Sequence, residues 1–356
     1  MIANARSLRR VSMVGATLIL AMTLAGEVTA RVTRSASGAI PDAGATASPS
    51  KQAIPTGVSR IGGLQSRTAH IDGVDQRVDA DVAILDTGIQ TDHPDLNVVG
   101  GVNCSADPGG SFGDLHGHGT RVAGAVGAID NNFGIVGAAP GVRLWSVKVL
   151  DQNDSGDLSN IVCGVEWVIA HADTIDVAVM GFGDFGTDDG ACGYSIGDLF
   201  HQAICRAVAA GVTMVAAAGN LAIDASGIIP AAYPEVLTVS WYSDLDGLPG
   251  ALSPKLCDHY SSDDALDPDS DFGAPVDIAA PGDCIRTTLL NGKYGSVSSN
   301  SLSSGYVGAA AALYLAKHRG ASPVVVKNAL LGLAEPGPLQ GDPDGFHEGL
   351  LDISRL

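Results

Sequence analysis

The stretch DVAILDTG, residues 81–88, is the first of five continuous apolar runs of strand length that decide the fold class. The other four cover residues 142–150, 175–182, 212–219 and 236–241, and the segments between them have the apolar spacing of helices. Continuous apolar strands that alternate with helices indicate a parallel sheet covered on both faces. We therefore predict an α/β fold of three layers, α/β/α, around a mainly parallel, doubly wound sheet.

Composition and charge narrow the functional class. The chain has 356 residues, of which 46% are hydrophobic and 17% charged, so it can bury a large core, and one sizeable domain is expected. Its formal net charge of -19 repels phosphate backbones and anionic membrane surfaces. We therefore expect no nucleic-acid partner.

The first 30 residues have the pattern of a secretory signal. Three arginines within the first ten residues precede a mostly apolar run, 11–25, and the small residues at 28–30 resemble a cleavage site. A membrane anchor is the alternative, but the apolar run is shorter than the roughly 20 residues that span a bilayer. We predict a signal peptide over 1–30, a secreted protein and no membrane attachment after its removal.

The next segment, 31–53, is rich in Ala, Ser, Thr, Gly and Pro and has no periodic apolar pattern. This composition predicts a linker or short pro-segment, followed by one folded, monomeric domain over 54–356.

Six cysteines in an exported chain favour disulfides, which an oxidising compartment preserves. Six cysteines allow 15 pairings, and nearness in the chain favours Cys192 with Cys205 and Cys257 with Cys284. None of the spacings is CxxC, which argues against a zinc site.

Four polar residues follow predicted strands or precede predicted helices. Asp86 ends the first apolar run, His118 lies in HGHGTRVAG, Asn220 follows AAAG, and Ser301 precedes an Ala-rich helix. Each alone has an ordinary structural interpretation, such as a turn-capping aspartate. Their order along the chain, Asp, His, Asn, Ser, makes that interpretation harder to sustain for all four.

From about residue 54 to its end the sequence resembles the subtilisin-like serine proteases. The matching stretches are VAILDTGIQTDHPDL, HGHGTRVAG, VKVL, AAAGN, AYPEVLTVS and IAAPG. The resemblance implies that Ser301 is the nucleophile, His118 the general base and then acid, and Asp86 the group that orients the imidazole. It also implies that Asn220 donates to the oxyanion.

The residues beside the implied nucleophile depart from the family pattern. Ser299 and Asn300 replace Gly-Thr, and Gly305-Tyr306 replaces Pro-His. If residue 299 needs a positive φ, a serine there is strained by about 1–3 kcal/mol.

The resemblance further implies a peptide-binding cleft and a calcium site. The cleft would use an edge strand at Gly181, Phe182 and Gly183 and a pocket wall at Ala217, Ala218 and Gly219, which suggests an apolar or small side chain at the cleavage position. The stretch AIDNNFGIVG, 128–137, resembles a Ca²⁺-binding insertion, and the alternative is an Asn-rich surface turn. Its implied ligands are the side chains of Asp95 and Asn131 and the carbonyls of Ile129, Phe133 and Ile135.

The function implied by the resemblance is a secreted serine endopeptidase that cleaves polypeptides through an acyl-enzyme. Two alternatives stay open: a binding module that keeps the cleft but turns over slowly or not at all, and a hydrolase of non-peptide esters. Covalent labelling of Ser301 distinguishes the endopeptidase from the binding module, which would not be labelled. A comparison of ester with peptide substrates distinguishes it from the esterase.

Overall fold

The computed structural model describes residues 31–33, 51–250, 262–336 and 339–356. The predicted signal peptide lies outside the described residues. The helices are α1 (Thr56–Arg60), α2 (His118–Gly127), α3 (Leu158–Ala170), α4 (Leu199–Ala209), α5 (Asn300–Lys317) and α6 (Pro323–Leu333). The strands are β1 (Arg31–Thr33), β2 (Asp81–Asp86), β3 (Val98–Asn103), β4 (Arg143–Lys148), β5 (Ser155–Asp157), β6 (Val177–Met180), β7 (Asp184–Phe185), β8 (Thr213–Ala217), β9 (Ile228–Ile229), β10 (Leu237–Ser243), β11 (Ala265–Leu266), β12 (Ile278–Pro281), β13 (Ile285–Leu289), β14 (Lys293–Val297) and β15 (Gly349–Leu350).

The central sheet follows the predicted parallel pattern. Within the described part of the chain it has nine strands in the order β15-β12-β10-β8-β6-β2-β4-β3, with β11 added antiparallel to β10. The neighbouring pairs along that order are parallel. The chain leaves β2 first toward β4 and β3 and later toward β6, so the sheet is doubly wound. All five predicted apolar runs form strands of this sheet.

Helices cover both faces, which confirms the three layers. One core contains the apolar residues of α2, α5 and α6 together with one face of the sheet. A second core lies on the opposite face and is formed with α3 and α4. Every residue of β2 is buried, as expected for a strand covered on both sides.

Helix α5 crosses the centre of the molecule, and its residues are buried almost all round. A helix with apolar residues on every side requires such a position. Its first residues lie at the carboxyl end of the sheet, where open α/β folds bind ligands. The fold therefore presents the N-termini of α2 and α5 at the same edge as the end of β2.

Two backbone contacts involve the segment 31–53, which is predicted to be a linker or short pro-segment. Residues of β1 pair antiparallel with β5. Gln52 N–H donates to Asn132 O at 3.2 Å and Ala53 N–H to Gly134 O at 3.0 Å. The ordered contacts of the domain therefore begin before residue 54, because backbone groups of the preceding segment pair with a loop.

The disulfides agree in part with nearness in sequence. Cys192 and Cys205 form a disulfide, which confirms that pairing. Cys104 bonds Cys163 across 59 residues, a pairing that the spacing did not favour, because α3 returns beside the end of β3. Cys284 is disulfide-bonded, and Cys257, its predicted partner, lies outside the described residues.

Candidate active site

The carboxylate and imidazole implied as catalytic form a close, buried pair. His118 Nδ1 lies 2.7 Å from Asp86 Oδ1 and 2.8 Å from Asp86 Oδ2, and both side chains are at most 3% exposed. An ionised carboxylate can only accept, so the proton of the neutral imidazole lies on Nδ1. The other nitrogen, Nε2, is then the one that can take up a proton.

The loop before α2 is held by an aspartate that the sequence did not single out. Asp114 Oδ1 accepts hydrogen bonds from the N–H groups of His116 and Gly117 at 2.9 and 2.7 Å. Its Oδ2 accepts from the N–H and hydroxyl of Thr120 at 3.0 and 2.6 Å. Gly117 has φ 102°, which a side chain would strain. These contacts fix where His118 enters the helix. The only sign of this role in the sequence is that Asp114 precedes the histidine motif.

Ser301 lies in the first turn of α5, beside the pair. A Cβ built on Gly181 would lie 3.0 Å from Ser301 Cβ, 3.2 Å from Asp86 Oδ2 and 3.2 Å from His118 Cε1. The three implied catalytic side chains therefore meet around one glycine, and a side chain at 181 would displace them. The Ser301 hydroxyl donates to the Gly181 carbonyl at 2.9 Å.

Ser299 is the N-cap of α5 and has φ -174°, which is extended backbone. The condition for backbone strain, a positive φ at residue 299, is therefore not met, and the chain enters the helix in a conformation open to any residue. Instead, Ser299 Oγ accepts the Ser301 N–H at 3.2 Å, and the Ser299 hydroxyl lies 3.2 Å from Ser301 Oγ. The N-cap side chain of Ser299 is thus hydrogen-bonded to the backbone N–H of Ser301, the residue implied as the nucleophile.

Asn220 lies against the same turn. Its Oδ1 accepts the Asn300 N–H at 3.0 Å, and Asn300 Nδ2 donates to Gly219 O at 2.9 Å. Because Oδ1 is the accepting end, the amide nitrogen of Asn220 is the end that serves as a donor. Asn220, the donor implied for an oxyanion, is thus held against the turn that contains the Ser301 N–H.

A cleft opens next to these residues. Residues 181–183, Ala217, Gly219 and Asn220 are among the residues that line it. Ala218 does not line it, because Ala218 is fully buried behind the wall and its N–H donates to Val239 O. The full lining is Gly181, Phe182, Gly183, Asp184, Phe185, Ala217, Gly219, Asn220, Leu221, Ile228 and Asp271.

Four of the five implied calcium ligands lie in the loop after α2, and Asp95, from the segment before β3, contacts that loop. Asp95 is fully buried, and its carboxylate accepts from Asn131 Nδ2 at 3.1 Å and from Ile135 N–H at 3.0 Å. Burial raises the pKa of Asp95 to about 6. Among the hydrogen bonds of the described residues, none uses the carbonyls of Ile129, Phe133 or Ile135.

Gln52, which the sequence analysis did not name, also reaches this loop, where its Oε1 accepts the Asn131 N–H at 2.9 Å. The loop therefore offers oxygen ligands of the kind that Ca²⁺ prefers. They are one buried carboxylate, two amide side chains and the three backbone carbonyls named above. The residues present therefore fit a calcium ion.

Comparison with known proteins places the chain in a family. The family model described as the subtilase family matches residues 79–348. The chain is 34% identical over 307 residues to Subtilisin DY of Bacillus licheniformis, an alignment that covers 85% of this chain and 98% of that protein. It is 33% identical over 270 residues to Subtilisin E of Bacillus subtilis, with 75% of this chain and 62% of that protein covered.

Among solved structures, the fold is similar to that described as a cold adapted subtilisin-like serine proteinase, with a TM-score of 0.65 and 27% identity. That likeness covers 84% of this chain and 97% of the other. The family model covers more than half of the sequence. This chain belongs to the subtilase family.

Proposed function

We propose that the protein is a secreted serine endopeptidase that hydrolyses polypeptides through Asp86, His118 and Ser301. The observation that carries the proposal is the common position of the three side chains around Gly181. A nucleophile beside an imidazole that is itself oriented by a carboxylate is the arrangement that activates a serine hydroxyl.

The reaction begins when the Ser301 hydroxyl leaves the Gly181 carbonyl and turns to His118 Nε2. A substrate N–H that pairs with that carbonyl, as in strand addition at 181–183, would favour this turn. Ser301 Oγ then attacks the peptide carbonyl carbon while His118 takes the hydroxyl proton.

The C=O double bond opens to an oxyanion, which the Asn220 amide and the Ser301 N–H stabilise. Collapse of this intermediate breaks the C–N bond, and His118 gives its proton to the leaving amine. Water attacks the resulting Ser301 ester with His118 as the base, which restores the hydroxyl and releases the acid.

Calcium would have a structural role in this protein. Asp95, Asn131 and Gln52 would supply side-chain oxygens, and Ile129, Phe133 and Ile135 would supply carbonyls. The ion would offset the cost of the buried Asp95 carboxylate and tie the segment at Gln52 to the loop after α2.

Export is supported by the N-terminal pattern of 1–30 and by the disulfides Cys104–Cys163 and Cys192–Cys205. Among the residues that the structure describes, no helix is both long and apolar enough to cross a bilayer. We infer a monomer that acts on polypeptides and has no nucleic-acid partner, and the charge of -19 supports the last point.

The experiment that tests the function is hydrolysis of an unstructured protein such as casein by the parent and by Ser301→Ala. We expect turnover by the parent and none by the variant. Ser303→Ala is the matched control, because Ser303 Oγ donates to Pro281 O and does not contact the site. A parent that folds and cleaves neither casein nor peptides would refute the proposal.

A further inference from the structure

The cleft beside Ser301 is lined by one fully buried carboxylate that the proposed chemistry does not use. Asp271 is fully buried and lines the cleft next to Gly219. Its Oδ1 accepts the N–H groups of Leu221 and Ile223 at 2.8 and 3.0 Å. Among the residues that the structure describes, none donates a hydrogen bond to its Oδ2. A buried carboxylate oxygen without a donor is costly to a folded chain, so it points to a ligand that completes it.

Gly219, which also lines the cleft, lies directly against this carboxylate. A Cβ at position 219 would lie 2.0 Å from Asp271 Oδ2, and Gly219 has φ 136°. A side chain there is therefore excluded both by the conformation and by the carboxylate. With no side chain at 219 to cover it, the negative charge of Asp271 acts on the cleft in surroundings of low dielectric, where charges interact strongly.

The charges around the cleft all have the same sign. Its only ionisable lining residues among those described are Asp184 and Asp271. Burial raises the pKa of Asp271 to about 6, so the carboxylate is mostly ionised at neutral pH. The chain as a whole carries -19, which attracts cationic segments of a substrate.

The remaining walls suit the stem of a long cationic side chain. Phe182, Leu221 and Ile228 provide apolar surface along the cleft. Lysine and arginine cover apolar surface with their methylene stems while the charged end reaches a polar partner. A cleft with apolar sides and one uncompensated carboxylate therefore matches these two residues better than a purely apolar side chain.

We propose that Asp271 is a specificity-determining residue and that the enzyme prefers peptides with Lys or Arg at the residue whose carbonyl is attacked. The proposal rests on the proposed endopeptidase function and on the placement of the cleft beside Ser301. It replaces the apolar or small side chain expected from the sequence. That expectation could not include Asp271, which lies 51 residues beyond Asn220 and meets the cleft only in the folded chain.

The test uses fluorogenic peptides that differ only at the cleaved residue, which is Lys in one and norleucine in the other. Norleucine keeps the stem of lysine and lacks its charge. We expect the parent to cleave the Lys peptide with a kcat/KM about 10–100-fold higher, the range of a charge-assisted contact. Asp271→Asn should reduce this preference to about two-fold and change kcat/KM for norleucine by less than three-fold, because Asn can still accept from Leu221 and Ile223.

Asp224→Asn is the control for net charge, since Asp224 is exposed, follows the segment 221–223 that donates to Asp271, and lies outside the cleft lining. It should keep the parent's preference. A parent that cleaves norleucine as well as Lys overturns the inference, whether or not Asp271→Asn folds. If Asp271→Asn folds and loses kcat/KM equally on both peptides, the inference is also overturned, because Asp271 then only anchors the loop that contains Leu221 and Ile223. If neither peptide nor casein is cleaved, the proposed function itself fails.

Discussion

Removal of the Ser299 hydroxyl should make the enzyme faster. In the structure this hydroxyl accepts the Ser301 N–H at 3.2 Å, and the same N–H is needed by the oxyanion in the transition state. The hydrogen bond must therefore be broken in each catalytic cycle. Its length lies at the long end of the usual range, so its net free energy is about 0.5–1 kcal/mol.

Loss of this competing acceptor lowers the activation free energy by the same amount. We expect Ser299→Gly to raise kcat about 2–5-fold. KM should change little, since the interaction gained belongs to the transition state. The variant should lose only a few tenths of a kcal/mol of stability, the usual cost of glycine at an N-cap.

Ser299→Ala distinguishes the hydroxyl from backbone strain. Because φ at Ser299 is -174°, alanine fits there as well as glycine, and both variants should have the same raised kcat. Alanine is the poorer cap and should cost about 1 kcal/mol of stability. The assay is steady-state peptide hydrolysis with titrated active sites, and Ser303→Ala serves as the unchanged control. No gain in either folded variant would refute the reasoning, and a gain in glycine alone would restore the strain explanation.

Three further predictions concern stability and calcium. Chelation with EDTA should lower the thermal midpoint and added Ca²⁺ should restore it, and Asp95→Asn should be insensitive to both. The EDTA effect should be larger at pH 8 than at pH 5, since the pKa of Asp95 is raised to about 6 and a protonated carboxyl does not bind the ion. Without calcium, the protonated Asp95 carboxyl stabilises the fold at low pH, and this stabilisation is lost as the pH rises from about 4 through 6. Arg60→Met should cost about 3–5 kcal/mol in urea unfolding, because it leaves Asp244 and Asp264, each 3.1 Å from Arg60 Nε, without their buried cation. The exposed pair Arg77–Asp75 is the control, and Arg77→Met should cost less than about 1 kcal/mol.

The sequence predicted the sheet well because each central strand is buried on both faces. Burial on both faces requires a continuous apolar run, and such runs are visible without any structure. The strands β7, β9 and β11 have two residues each and carry no such signal. Their pairing depends on the loops that bring them together.

The implied catalytic residues could be predicted from the sequence for a different reason. Asp86 and His118 lie in short motifs whose residues also shape the backbone locally, and the structure brings both to Ser301. The role of Ser299 could not be predicted, because its φ and the hydrogen bond that its Oγ accepts are set by how the chain enters α5. Asp114 accepts five hydrogen bonds, from Thr87 after β2, from the N–H groups of residues 116 and 117, and two from Thr120 in α2, and a single aspartate in a sequence gives no indication of that number.

Contacts between distant segments were the least predictable. Cys104 and Cys163 meet only after α3 packs beside β3, and nearness in the chain misses such pairs. Asp271 reaches the cleft wall from a loop after β11. In both cases the residue type is visible in the sequence, while its partner depends on the topology of the whole sheet.

The central claim, that Ser301 is a nucleophile activated by His118, is tested most directly by covalent labelling with a fluorophosphonate. The parent should gain the mass of one phosphonyl group, and peptide mapping should place it on Ser301. His118→Ala should fold and label far more slowly, because the hydroxyl then lacks its base. No label on the folded parent, or a label on Ser303 or Ser304 instead, would contradict the account.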